Sequence, residues 1–122
     1  MIETDKRIPS IVLAVSSSDA DLSDLEDLFN GIEEEEIPVS VSTIEQGNTV
    51  SNAYQAALVS KLSVGLAFDA TQVVLHYKNL DEEEPLFKVK RGNPTIMRMM
   101  GTNAARLVKG TPFKLGEGSE FE

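Results

Sequence analysis

The run Ile11-Val12-Leu13-Ala14-Val15 contains no polar residue, and it constrains the fold more than any other stretch of the chain. Successive strand side chains point to opposite faces, so a strand of this composition must be dry on both faces. That situation arises in parallel or mixed sheets covered by helices on either side. The strand is expected over Ile8 to Val15, and a second apolar run, Leu62 to Phe68, reads as the strand at the centre of the sheet. Helices to cover them lie between the two. Leu22, Leu25, Leu28, Phe29 and Ile32 recur at three- and four-residue spacing, which makes one apolar face. Val50, Ala53, Tyr54, Ala57 and Leu58 make another, behind a turn and cap at Gln46-Gly47-Asn48-Thr49, and its alanines allow the helix to lie close on the sheet. Between the helices, Val39, Val41 and Ile44 alternate with Ser40 and Ser42, as in a strand near a sheet edge.

After Phe68 the pattern changes to short strands. Asp69-Ala70-Thr71 is short enough for a tight hairpin, so Gln72 to Tyr77 should return antiparallel, with Val73, Leu75 and Tyr77 on one face and Val74 and His76 on the other. Asn79 to Pro85 is an acidic connection, and Leu86 to Val89 a short edge strand on which Lys88 and Lys90 discourage pairing with other chains. Arg91-Gly92-Asn93-Pro94 turns into a last helix from Thr95 through Ile96, Met100, Ala104, Leu107 and Val108, stopped by Gly110 and Pro112. Gly101 is an anomaly in its middle. The order β-α-β-α-β-β-β-α predicts a single three-layer α/β/α domain with a mixed five-stranded sheet. Gly116 to Glu122 reads as a loose tail.

The 122 residues carry a net charge of −9 and no cysteine. Disulfides, zinc-thiolate sites and thiol catalysis are excluded. No stretch is apolar for long enough to span a bilayer, and Met1 to Ser10 has no apolar signal core. The charge is segregated: residues 16–45 hold ten acids and no base, and residues 85–116 hold seven bases and no acid. The net field opposes nucleic-acid binding, which depends on Lys and Arg contacts to phosphate, and no aromatic residues interleave with the bases as stacking platforms. The basic segment is free to meet a protein surface.

Four adjacent carboxylates, Glu33 to Glu36, fall where the first helix should end and a strand begin, since a residue before Pro38 is pushed out of helical geometry. A helix end carries partial negative charge, so acids there cost about 0.3 to 1 kcal/mol each near the surface. The run is either a solvated acidic face or a docking point for a cation or a basic partner. Ser16-Ser17-Ser18-Asp19, Asp21 and Asp24 lack the glycine and distal glutamate of a calcium loop and read as capping for that helix.

Catalytic parts are scarce. His76 is the lone histidine and is given a structural role. No G-x-S-x-G elbow, G-x-x-x-x-G-K-[ST] loop or G-x-G-x-x-G fingerprint is present.

Several pieces together prompt recognition: Gly31-Ile32-Glu33-Glu34-Glu35 before Ile37-Pro38, Leu62-Ser63-Val64-Gly65, His76-Tyr77-Lys78-Asn79-Leu80, Pro85-Leu86-Phe87, and Asn103 to Gly110 before Pro112-Phe113. In this order they resemble the small subunit of diol or glycerol dehydratase-reactivating factors, over roughly Ile8 to Phe113. The resemblance implies a non-catalytic, chaperone-like, cytoplasmic partner protein with a fold like the dehydratase medium subunit, its fourth strand antiparallel. It implies a large ATPase partner subunit, joined in a heterotetramer, and transient binding to the large subunit of an adenosylcobalamin-dependent dehydratase. Swapping with the dehydratase medium subunit would then let damaged cobalamin leave. A bacterial microcompartment is one setting it allows.

The family places a divalent ion, Mg2+ or Ca2+, at the junction of the two subunits, reached by the middle glutamate of Gly-Ile-Glu-Glu-Glu, which is Glu34 here. This chain itself is expected to bind neither ATP nor cobalamin. It has no phosphate-cradling loop, and His76-Tyr77-Lys78-Asn79 lacks the Asp-x-His-x-x-Gly pattern of cobalt-ligating proteins. One departure stands out: the family commonly has glycine before Ile-Pro, where this chain has Glu36, so a left-handed helix end would cost on the order of 1 kcal/mol or the corner would take another shape. Two other classes remain open at this point, a dehydratase medium subunit, although those are generally longer, and a free-standing small-molecule-binding α/β domain.

Overall fold

The computed structural model describes residues 8–16, 22–44 and 47–113. Its sheet has the order β2-β1-β3-β4-β5, built from β1 (Ile11–Val15), β2 (Val39–Thr43), β3 (Val64–Phe68), β4 (Gln72–Tyr77) and β5 (Phe87–Lys90). β1 runs parallel to both β2 and β3, pairing Leu13 with Val41 on one side and with Leu66 on the other. β4 is antiparallel to β3 and to β5, so it alone reverses direction. This is the mixed sheet expected from the tight hairpin, whose turn is tied by the Asp69 N–H donating to Gln72 O at 3.0 Å.

Helices α1 (Glu26–Glu34), entered through a short 3-10 turn at Ser23–Leu25, and α3 (Pro94–Lys109) cover one face of the sheet. Leu28, Phe29, Ile32, Met97, Met100 and Ala104 pack there against Ile11, Leu13, Leu66 and Leu75. Helix α2 (Thr49–Val59) covers the other face, where Ala53 and Ala56 meet Val12, Ala14, Ala67 and Val74. All five side chains of β1 are buried, as a strand sandwiched between two helical layers must be. Removing apolar surface from water is worth about 25 cal/mol per Å2, and β1 collects that gain on both faces.

Two close approaches decide the layer spacing. A methyl group on Gly65 would stand 2.2 Å from Ala57 N and 2.4 Å from Ala53 O, so α2 rests its backbone against β3. On the opposite face, a methyl on Gly101 would stand 2.0 Å from Leu28 O, and one on Gly31 2.3 Å from Arg98 O. The anomaly in the last helix is therefore the point where α1 and α3 cross.

Several boundaries and faces differ from the sequence reading. β1 begins at Ile11 because Pro9 has no N–H to donate and Ile8 is exposed. β3 begins at Val64 because Ser63 adopts φ +67, which breaks the extended run after Leu62. On α2, Ala56 is buried and Leu58 is 41% exposed, since the flat contact with the sheet favours the smaller side chain. Met97 joins Met100 in the core, while Leu107 and Val108 are only half-buried. β2 ends at Thr43, leaving Ile44 to pack against the α2 layer. Of the caps, Asn48 accepts from Ser51 N and Asn93 from Thr95 N and Ile96 N. At the start of helix α1 the N-cap position is held by Leu25, whose side chain makes no capping hydrogen bond; the Ser17 to Asp21 part of the expected cap, like the C-terminal tail, lies outside the described residues.

His76 is fully buried, with its ring 5.1 Å from that of Tyr54. Its Nδ1 accepts the Tyr77 N–H at 2.9 Å, which leaves the proton on Nε2 to donate to Glu82 O at 2.9 Å. The ring thus pins the acidic connection against the sheet, a structural role.

Candidate metal and subunit-docking corner

Helix α1 stops at Glu34, and the chain turns through Glu35 and Glu36 into Ile37-Pro38. Glu36 adopts φ +64. The left-handed helix end that glycine would take without strain is kept, at a cost of about 1 kcal/mol, so the corner has the turn a glycine would allow. The Glu36 N–H donates to Glu33 O at 2.9 Å and the Glu35 N–H to Ile32 O at 3.1 Å, which satisfies two of the terminal carbonyls.

What offsets the clustered negative charge is α3. Glu35 receives Lys109 Nζ at 2.7 Å and Arg106 Nη2 at 3.4 Å. The Lys109 hydrogen bond, helped by the charges of Lys109 and Arg106, outweighs the effect of burial and holds the Glu35 carboxyl below its ordinary value. Glu34 receives the guanidinium of Arg98, through Nη2 and through Nε at 3.3 Å. The same Arg98 reaches Asp27 with Nη1 at 3.9 Å. Arg91, farther along, donates to Asp24 through Nε at 2.8 Å and Nη2 at 2.7 Å. The two halves of opposite charge therefore meet each other inside the chain: Arg91, Arg98, Arg106 and Lys109 are engaged with Asp24, Asp27, Glu34 and Glu35 in and beside the first helix, while Lys88 and Lys90 of β5 stay exposed.

The Glu34 side chain is 53% exposed at the rim of the corner. Among the described residues no three His, Cys, Asp or Glu side chains come together in a way that would hold a metal ion. One outward carboxylate of this kind fits a shared ion, because a hard divalent cation takes oxygen ligands and is often held by one or two carboxylates with water filling the rest. Glu33 and Glu35 do not duplicate it, since successive helical residues point about 100° apart and Glu35 is only 18% exposed between Lys109 and Arg106.

A second polar cluster, missed in the sequence, lies at the opposite end of the sheet. The Asp69 carboxylate accepts from Thr49 Oγ1 at 2.7 Å, Thr71 N at 2.8 Å, Gln72 Nε2 at 2.9 Å and Gln72 N at 3.0 Å. Burial pushes its carboxyl up, but these donors win and hold it far below the usual carboxylate range. Arg91 Nη1 donates to the Asp69 carbonyl at 2.8 Å and its guanidinium stands 4.7 Å over the Phe68 ring. Asp-x-Thr-Gln in a hairpin is a recognisable Asx turn, which was the available signal. Beside it, an open cleft of about 450 Å3 is lined by Asn48, Thr49, Ser51, Gln72, Glu82 and Glu83.

Comparison with known proteins decides the family. A family model described as dehydratase medium subunit matches residues 8–114. The propanediol dehydratase-reactivating factor small subunit of Salmonella typhimurium is 40% identical over 114 residues, covering 93% of this chain and 97% of the relative. The chain belongs to the small subunits of the dehydratase-reactivating factors. Another member, the diol dehydratase-reactivating factor small subunit of Klebsiella michiganensis, is 47% identical over 85 residues, 69% of this chain and 68% of its own length. A solved diol dehydratase-reactivating factor complexed with ADP and Mg2+ contains a chain that superposes with a TM-score of 0.77 at 38% identity, covering 88% of this chain and 98% of that one. A glycerol dehydratase reactivase chain superposes at 0.76 with 24% identity, covering 87% and 96% respectively, a likeness of fold. The free-standing domain is set aside by these full-length matches. For this family of small subunits, the three-layer mixed sheet is the shared fold.

Proposed function

We propose that this chain is the non-catalytic docking subunit of a chaperone-like factor that reactivates an adenosylcobalamin-dependent diol or glycerol dehydratase in the cytoplasm. It would join a larger subunit that hydrolyses ATP, in a heterotetramer, and exchange with the dehydratase medium subunit on the dehydratase large subunit so that damaged cobalamin escapes. The observation that carries this reading is the end-to-end match to a reactivating-factor small subunit, 40% identical over 97% of that relative. The match of the same chain to a dehydratase medium-subunit family model is what an exchange of subunits would require. The sequence has no phosphate-cradling loop and no cobalt-ligating histidine motif, which supports a reading in which partners bind the nucleotide and the coenzyme.

Within this reading Glu34 is the chain's contribution to a divalent ion shared with the large subunit. Bound there, Mg2+ would draw oxygen ligands from two chains and so make their association depend on the ion. Glu34 supplies one exposed carboxylate, and α3 holds the helix end that carries it.

Coexpression with a reactivating-factor large subunit, followed by affinity measurement in Mg2+ and in chelator, tests the proposal. Glu34→Gln should leave the domain folded and remove the Mg2+-dependent part of the affinity, while Glu33→Gln retains it. Equal Mg2+ dependence in the two variants would take Glu34 out of the site. Failure to copurify with any large subunit would refute the docking role itself.

A further inference from the structure

The crossing of α1 and α3 puts one arginine in reach of two carboxylates, and only one of them is the proposed metal ligand. Asp27 and Glu34 lie seven residues apart, two turns along the same face of α1. Gly31 sits between them, and the Arg98 carbonyl presses against it so closely that a methyl there would be 2.3 Å away. The Arg98 side chain is consequently launched from the midpoint. It donates to Glu34 through Nε at 3.3 Å and through Nη2, and leaves Nη1 3.9 Å from Asp27. Both Glu34 oxygens are thereby engaged, although a metal would need at least one of them.

We infer that Arg98 is a positioning residue that occupies Glu34 while the subunit is free and passes to Asp27 when Glu34 takes up the shared ion. This rests on the reading of Glu34 as a ligand. All three side chains are between 37% and 53% exposed, so the exchange needs rotamer changes in water and no movement of either helix. Arg98 competes directly with the cation for the carboxylate and sets how much Mg2+ is required for the two subunits to associate. Asp27 lowers that requirement by giving the guanidinium a second anion once Glu34 is taken.

The test uses the full chain and a reactivating-factor large subunit, with affinity measured across a Mg2+ series for wild type, Arg98→Met, Asp27→Asn, their double variant, Glu34→Gln and Arg98→Met/Glu34→Gln. Thermal melts establish that each is folded. At limiting Mg2+, Arg98→Met should tighten association by about two- to five-fold, the worth of an exposed ion pair written as a binding ratio. Asp27→Asn should weaken it by a similar factor, and that loss should vanish in the Arg98→Met background, because the two act as one unit. Arg98→Met should have no such effect once Glu34 is glutamine. Wild-type or weakened affinity in Arg98→Met, or an Asp27→Asn loss that persists undiminished without Arg98, would overturn the exchange. If in that case Glu34→Gln still abolishes the Mg2+ dependence, the metal reading stands and the exchange alone falls. If Glu34→Gln keeps the Mg2+ dependence, the metal reading itself is wrong.

Discussion

Replacing Gly101 with alanine sets two effects against each other, and the structure says which prevails. Alanine is the better helix former by about 0.8 to 1 kcal/mol, and Gly101 sits inside a helix of 16 residues. Propensity alone would make the variant more stable. The added methyl would, however, lie 2.0 Å from Leu28 O, 2.9 Å from Leu28 C and 3.1 Å from Ile32 N. These are backbone atoms, with no rotamer to relieve the overlap. Restoring contact near 3.3 Å requires α1 and α3 to part by roughly 1 Å, and a well-packed core resists such a change by about 1 to 3 kcal/mol. Taking the upper end, because the obstacle is main chain, leaves a net loss of about 2 kcal/mol. For 122 residues the unfolding entropy is about 0.26 kcal/mol/K, so the midpoint should fall by about 8 °C. Gly31→Ala, at the same crossing, should lose stability too, and the double variant should lose less than the two together because one separation relieves both clashes. Thermal unfolding followed by circular dichroism measures all three. A Tm for Gly101→Ala at or above wild type would refute the argument, since propensity would then have outweighed the contact.

Glu36→Gly removes the left-handed strain at φ +64 but loosens the unfolded chain; the balance is a gain on the order of 0.5 kcal/mol, a rise in Tm of about 2 °C, with Mg2+-dependent association unchanged. Asp69→Asn probes acid stability. The folded carboxyl lies below its unfolded value near 3.9, so its contribution is present above that value and is lost as pH falls below it. The variant should therefore be less stable than wild type at pH 7 and converge with it toward pH 2; denaturant midpoints at the two ends check this, and a gap that widens in acid would contradict it.

How far the sequence could be read depended on whether the deciding interaction was local. Periodicity located β1, β3, the hairpin and all three helices because burial imposes its repeat on each element separately. The Gly-Ile-Glu-Glu-Glu motif and Ile37-Pro38 placed the corner for the same reason. Nothing in the spacing announced that Gly101 meets Leu28 across the core, since that contact joins residues far apart in the chain. Arg98 was equally hidden. The segregation of charge was visible as two blocks, but whether those blocks face outward or one another is decided by the packing of α3 on α1, and they face one another. Leu58 was misplaced because helical periodicity allows it on the apolar stripe, whereas the closeness required at Gly65 admits only alanines.

The pairing of the first helix with the last has a bearing on biosynthesis. A ribosome releases α1 long before α3, so Leu28 and Ile32 wait without their helical cover until Met97, Met100 and Ala104 have emerged. Over the same interval Glu35 lacks Lys109 and Arg106, and Glu34 lacks Arg98. Contacts of such long sequence separation form late because loop closure must precede them. A nascent or C-terminally truncated chain therefore displays the glutamates without the frame that aims them. On the proposed docking role, recognition through this corner would in effect check that translation has run to the end of the last helix.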